Sequence, residues 1–248
     1  MGFFFGKKKK GHAAGKESAN AVNSSLGNAD TVHSNATDSK IGNGETEISG
    51  ELSPKVVQQL AQNAVNIIGM LNKIFMREQG IDLTNAITFS AGLAGIACHE
   101  AAVALHEPLV EVETKDGKKY YMGDSVNKYL IEGDLSVYHF VKNITDMSQE
   151  HMLAIVKEVS EKLGSPELKA RNNDPALAYP LIKQCWDGIF ESMTTSYCRT
   201  PAQWPVLYAI VLENMVKRAL EIGVSKEEIS EHAMQCAVIF SKMDKSSL

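Results

Sequence analysis

Large apolar residues recur at helical spacing from Ser53 onward, whereas between Phe5 and Ser53 they are scarce. In SPKVVQQLAQNAVNIIGMLNKIF, Ser53 reads as a helix N-cap and Pro54 suits the first helical position. Val56, Leu60, Ala64, Ile67, Leu71 and Ile74 form the apolar stripe of this helix, and Gly80 closes it. A second helix is predicted over about residues 84–105. It carries Ala91, Gly92, Ala94, Gly95, Ala97, Ala101 and Ala102, and side chains this small let a neighbouring backbone come close. That density places it at the centre of the core.

The period then changes from helical to alternating. In LVEVETKDGKKYYM, Leu109, Glu111 and Glu113 share one face and Val110 and Val112 the other. Asp116-Gly117 is a two-residue hairpin signal, and Tyr120 and Tyr121 begin the return strand. Asp124 or Ser125 caps a short helix with Val126, Tyr129, Leu130 and Ile131, and Leu135 to Ile144 forms another after Gly133-Asp134. Ser148 opens a helix with Met152, Ile155, Val159 and Leu163 on its apolar face, ended by Gly164. After the polar stretch GSPELKARNNDP come three more helices. One spans about 176–197, with Pro180 near its start. The next begins near Gln203 after TPAQWP and buries Leu212, Met215, Ala219 and Ile222. In the last, Ser225 and Glu228 form a capping box ahead of Ile229, Ala233, Cys236 and Phe240. The fold class is mainly α: a multi-helix bundle with one small β-hairpin near residues 109–122. Residues 1–50 read as a disordered arm, 51–248 as the helical domain, and 164–176 as a seam within it.

The arm has its own character. It is rich in Asn, Ser, Gly, Ala, Thr and Lys, a composition that buries too little apolar surface to offset ordering entropy. Its tip, MGFFFGKKKK, joins Phe3, Phe4 and Phe5 to Lys7, Lys8, Lys9 and Lys10. Aromatic rings partition into a membrane interface, and each lysine near an anionic surface adds up to about 1 kcal/mol. The same residues suit docking of phenylalanines into a partner's groove. A solvated basic end that binds nothing specific is the third reading, favoured by the shortness of the anchor. The positive charge follows the apolar run, the reverse of a secretory signal, and position six is Gly6 rather than the Ser or Thr of a myristoylation signal.

Charge sets the class of partner. The formal net charge is −5, and the first sixteen residues hold five lysines and no acid, so the rest stands at −10. Clustered phosphate contacts are not expected of so acidic a domain, which argues against nucleic acid as a partner. Cys98, Cys185, Cys198 and Cys236 form no C-x-x-C pair and fall in helical segments, so buried, reduced thiols in a cytoplasmic compartment are expected. The most apolar run, Ala86 to Cys98, is short for a membrane span and reads as a buried core helix.

The search for chemistry returns little. Cys98, His99 and Glu100 are consecutive, and on a helix adjacent residues point about 100° apart. His99 and His106 are seven apart and would share a face, but the spacing is not that of H-E-x-x-H and no third ligand is evident. Cys185 and Cys198 lack a local base and oxyanion site. Gly92 and Gly95 lie within a helix and read as packing glycines. Tyr120, Tyr121, Trp186 and Trp204 could line a pocket, although aromatic residues in such patterns are more often core or interface anchors. No catalytic, cofactor-binding or metal-ligating residue is assigned.

The small-residue helix ITFSAGLAGIACHEAAVAL, the hairpin VETKDGKKYYMGD with its helix SVNKYLIEG, and the closing EISEHAMQCAVIFSKM together resemble DotY-like accessory subunits of the Dot/Icm-type bacterial type IV secretion coupling complex. The resemblance covers about residues 52–243. It implies a non-enzymatic adaptor at the cytoplasmic face of the inner membrane. Its partners would be a coupling ATPase, sister adaptors and exported effector proteins, with weak peripheral membrane contact through the arm. The alternative is an enzyme or small-ligand binder with a pocket between hairpin and helices, using Cys98 or His99. Removing residues 1–50 is expected to leave the melting transition of the helical domain intact, as followed by circular dichroism, while weakening recruitment to membrane or partner. Loss of the cooperative transition would contradict the assignment of the arm.

Overall fold

The computed structural model describes residues 52–114, 117–165 and 175–243. The arm predicted over 1–50 with Phe3, Phe4, Phe5 and Lys7 to Lys10, Asp116 of the hairpin signal, and most of the seam at 164–176 lie outside the described residues. Nine α-helices run in chain order among the described residues. They are α1 (Pro54–Ile74), α2 (Leu83–Ala104), α3 (Asp124–Leu130), α4 (Val137–Thr145), α5 (Gln149–Lys162), α6 (Pro175–Cys185), α7 (Glu191–Tyr197), α8 (Trp204–Glu221) and α9 (Lys226–Ser241). Two antiparallel pairs accompany them: β1 (Met76–Arg77) with β2 (Gly80–Ile81), and β3 (Val110–Glu113) with β4 (Lys119–Met122).

Helix α2 is the central element, and its sequence explains why. Asp82 caps it, its side chain accepting from the Asn85 backbone N–H. It has no polar face: every residue from Ala86 to His99 is buried, and it packs most extensively on α9 and α8. A Cβ on Gly95 would lie 2.3 Å from the Ala237 carbonyl oxygen and 2.8 Å from the Ser241 nitrogen, both on α9. One on Gly92 would lie 2.5 Å from Cδ1 of Ile182. Only glycine permits α2 and α9 to approach backbone to backbone. By length and composition α2 could cross a membrane, but 89% of its most apolar stretch is buried by the rest of the chain. The helix ends with Glu107 N–H bonded to the Ala102 carbonyl and His106 N–H to that of Val103, around a left-handed His106 at φ 54°.

A line of aromatic rings crosses the core beside α2. Phe75 meets Phe89 at 5.4 Å, Phe89 meets Phe190 at 6.0 Å, Phe190 meets Tyr208 at 6.3 Å and Tyr208 meets Trp186 at 5.7 Å. Separations of this kind with tilted planes suit the ring quadrupoles. The β3–β4 hairpin, in register Val110↔Met122 to Glu113↔Lys119, sits beyond the end of α2. It is tied to the end of α9 by a bridge between Tyr120 and Met243 and by Tyr121 N–H donating to the Lys242 carbonyl at 2.8 Å.

Several expectations are corrected. Helix α1 stops at Ile74, not at Gly80, because the chain turns into the β1–β2 pair, too short for an alternating pattern to register. Gly123, not Asp124 or Ser125, holds the N-cap position of α3. A Cβ there would meet the Pro108 carbonyl oxygen at 2.8 Å, and Ser125 Oγ donates to that same oxygen. All four residues of β3 are exposed, Val110 at 63%, so its alternation serves no buried face. Ile222 is 71% exposed at the C-cap of α8 rather than on its buried side.

Gly95→Ala is expected to destabilise the protein by about 1–3 kcal/mol through overpacking. Gly69 lies inside α1, and a methyl group there would meet nothing within 4 Å, so Gly69→Ala is expected to stabilise by roughly 0.5–1 kcal/mol. Urea denaturation of the two variants checks both signs.

Candidate functional site

The stretch from Pro175 to Tyr197 is one helical run interrupted by a π turn at Trp186–Phe190. Glu191 N–H reaches back five residues to the Trp186 carbonyl. Such a turn underwinds the helix and recurs at functional sites. Here it keeps Ile182, Trp186, Phe190 and Thr194, spaced strictly by four, on one buried side. Thr194 Oγ1 and the Tyr208 hydroxyl lie within hydrogen-bond distance of each other and both reach the Phe190 carbonyl, Tyr208 at 3.4 Å, so the three groups form one buried network in which the carbonyl accepts. Burial raises the Tyr208 pKa, the bond with Thr194 opposing it. The phenol is thereby neutral and fixed. This anchors the π segment to α8.

Beside that anchor lies a cleft of about 220 Å³. Glu100 and Val103 come from the last turns of α2, Trp186 from the π turn, Glu191 and Thr195 from α7, and Trp204 from the first residue of α8. Trp186 is only 2% exposed and its Nε1–H has no partner among the described residues, a feature that costs about 1–3 kcal/mol when no other acceptor is met. Trp204 is half-buried. Val103, 46% exposed, carries the apolar surface outward, and Leu105, 40% exposed, follows at the helix end. An enclosed apolar cavity of about 150 Å³ accepts a benzene ring, whereas drug-sized ligands need about 300–1,000 Å³. The cleft therefore suits one side chain or a similarly small group.

The residue types that carry covalent chemistry lie elsewhere. Cys98 and Cys236 are fully buried, and desolvation pushes the Cys98 thiol far up and that of Cys236 to about 12, against a small opposing effect of Thr88. Burial also takes Cys198 to about 12. A reactive cysteine needs the opposite shift. Cys185, expected to be buried, is half-exposed where α6 meets the π turn. His232 is buried, its Nε2 2.9 Å from Thr88 Oγ1, while Thr88 itself donates to the Thr84 carbonyl.

The expected pairing of His99 and His106 on one helix face does not form. Helix α2 ends at Ala104, and His106 turns away in the left-handed region and is exposed. His99 is buried instead with its ring 5.2 Å from that of Tyr121. Where α2 meets the hairpin and α3, the Tyr129 hydroxyl donates to Glu107 Oε1 at 3.3 Å, and Lys128 Nζ stands 3.7 Å from the same oxygen. Burial, then the Glu107 charge, lifts the Tyr129 hydroxyl to about 12. Among the described residues no group of three or more His, Cys, Asp and Glu side chains is placed to hold a metal ion.

Of the four aromatic residues singled out by sequence, the two tryptophans line the cleft, while Tyr120 and Tyr121 belong to the hairpin. Glu100 was singled out only beside Cys98 and His99, and Val103, Glu191 and Thr195 escape sequence reasoning, because the cleft is assembled from α2, the π turn, α7 and α8. The one available signal is that both tryptophans of the chain sit at helix irregularities, Trp186 two residues before Gly188 and Trp204 beside Pro205. Compared with known proteins, the chain matches no family model, no curated protein and no solved structure.

Burial depresses the His232 pKa from 6.5 to about 4, with Glu228 opposing weakly. The unfolded chain thus takes up a proton near 6.5 that the folded chain refuses until about 4. Stability is fully present above the higher value and is lost as pH falls between the two, by about 3 kcal/mol at 1.36 kcal/mol per unit. Urea midpoints measured from pH 7 to 4 are expected to fall accordingly, and His232→Gln is expected to flatten that part of the profile.

Proposed function

We propose that this chain is a non-enzymatic adaptor, an accessory subunit of a bacterial type IV secretion coupling complex that helps recruit or regulate effector proteins for export. The observation that carries the reading is the division of labour between interior and surface. The thiols of Cys98 and Cys236 and the imidazole of His232 are consumed by packing in the core. The cleft between Trp186 and Trp204 has the size and aromatic character of an interface anchor point. The acidic balance of residues 17–248 favours basic partner surfaces and fast, salt-sensitive encounter. The resemblance of the small-residue helix, hairpin and closing helix to DotY-like subunits supplies the particular complex. In this reading the helical domain stands at the cytoplasmic face of the inner membrane, and Phe3 to Phe5 with Lys7 to Lys10 add a weak membrane or partner contact.

The test is a native pull-down from the source organism with a C-terminal tag, leaving the N-terminal phenylalanines and lysines free. Recovery of a membrane ATPase together with small adaptors and exported proteins is expected. A bait that returns alone after gentle cross-linking contradicts the adaptor reading.

A further inference from the structure

We infer that the open edge of β3 takes up an extended segment of a partner polypeptide as a third, antiparallel strand, one in which apolar residues alternate with lysine or arginine. The inference does not rest on the secretion reading and stands or falls by itself.

The hairpin is closed on one side. The outer side of β4 is occupied by the end of α9, through the bridge from Tyr120 to Met243 and the bond from Tyr121 N–H to the Lys242 carbonyl. On the outer side of β3 no strand is paired among the described residues. The register fixes which backbone groups face that side. Thr114 N–H donates to the Lys118 carbonyl, so Thr114, and with it Val112 and Val110 at a period of two, turns its backbone groups toward β4. The intervening positions, Glu113 among them, turn theirs outward. Gly164 lies against Thr114, so the open stretch is Val110–Glu113.

The side chains stop short in the same way. Residues opposite in register share a face, so Met243, Tyr120 and Val112 form one apolar row across the sheet, and Met122 and Val110 a second. Tyr120 is buried, but the rows end at Val112, 36% exposed, and Val110, 63% exposed. A strand beside β3 with apolar residues at the matching positions continues both rows and covers that area.

The other face selects the occupant. Antiparallel pairing of two copies of β3 sets residues of one face opposite each other, so every register that overlaps most of the strand brings glutamate against glutamate, and like charges directly opposite destabilise. Lysine or arginine at those positions reverses the sign. Glu111 is already engaged by Lys119 at 2.7 Å and by the Tyr121 hydroxyl at 3.1 Å. The charge contrast therefore rests on Glu113, whose register partner Lys119 reaches Glu111 instead. The acidic balance of residues 17–248 draws a basic segment toward the domain.

The full chain is titrated by fluorescence anisotropy at low ionic strength against dye-labelled acetyl-lysyl-valyl-lysyl-valyl-lysine amide and its glutamyl counterpart. With the lysines opposite the glutamates of β3, the lysine amides face β3 and the valine amides face away. The lysine peptide is expected to bind at least about tenfold tighter than the glutamyl peptide. N-methylation of its lysine amides is expected to abolish binding, and N-methylation of its valine amides to leave it unchanged. Glu113→Pro removes an outward N–H without touching the bonds to β4 and is expected to abolish binding, with melting curves confirming that the variant folds. Glu113→Lys is expected to weaken the lysine peptide several-fold and strengthen the glutamyl one. The full chain is expected to sediment as a monomer. Equal affinity for the two peptides overturns the basic occupant. Binding that tolerates N-methylated lysine amides overturns strand addition. A concentration-dependent dimer lost in Glu113→Pro gives the edge to a second copy and overturns the partner. No saturable binding of either peptide overturns the site.

Discussion

The structure depends on one contact, the backbone approach of α2 to α9 at Gly95, beside which Gly92 makes room for the Ile182 side chain of α6 and the Phe240 ring of α9. At Gly95 the α9 backbone occupies the space where any other residue would place its Cβ. Close approach buries α2 on all sides, which is why a helix with almost no polar face is tolerated in a chain of ordinary composition. It also leaves no room for solvent or substrate around Cys98 and Cys236. The same constraint that makes the core disfavours thiolate at Cys98 and Cys236, because desolvation raises their pKa.

From that centre, function is displaced to the rim of α2. Its last turns emerge from the core at Glu100, Val103 and Ala104 and meet the π turn and the first residue of α8. The π turn is the local departure that forms the cleft. An uninterrupted α-helix would rotate Thr194 away from the face shared by Ile182, Trp186 and Phe190. Keeping that face costs one irregular turn and leaves the Trp186 indole without an acceptor among the described residues. Natural proteins concentrate such local departures where binding occurs.

Much of the architecture was legible in the sequence because helical period, caps and small-residue density are local signals. Ser148 and Ser225, read as caps, each accept from a backbone N–H three residues on, whereas Ser53 holds the N-cap position of α1 with no side-chain cap bond, and the density of alanine and glycine in α2 located the centre of the core. What was not legible depends on partners distant in the chain. The exposed position of Val110 and Val112 follows from where the hairpin is tied, through Tyr120 and Met243, a pairing no local pattern contains. Ile222 fits the stripe of α8 but falls one residue past its end. The cleft joins α2, α7 and α8 with a π turn that periodicity reads as continuous helix, so its two tryptophans were visible beforehand as pocket candidates, and Glu100 only as the neighbour of Cys98 and His99.

The central claim is that α2, long and apolar enough to cross a membrane by length and composition, is instead the innermost helix of the bundle, with 89% of its most apolar stretch buried by the rest of the chain. Amide hydrogen exchange followed by mass spectrometry in detergent-free buffer tests it most directly. The amides of Ala91 to Ala101 and their α9 neighbours from Ala233 to Phe240 are predicted to exchange only with global unfolding, while β3 and the region following α2 open earlier. Rapid exchange in α2 with α8 and α9 still protected would contradict the account.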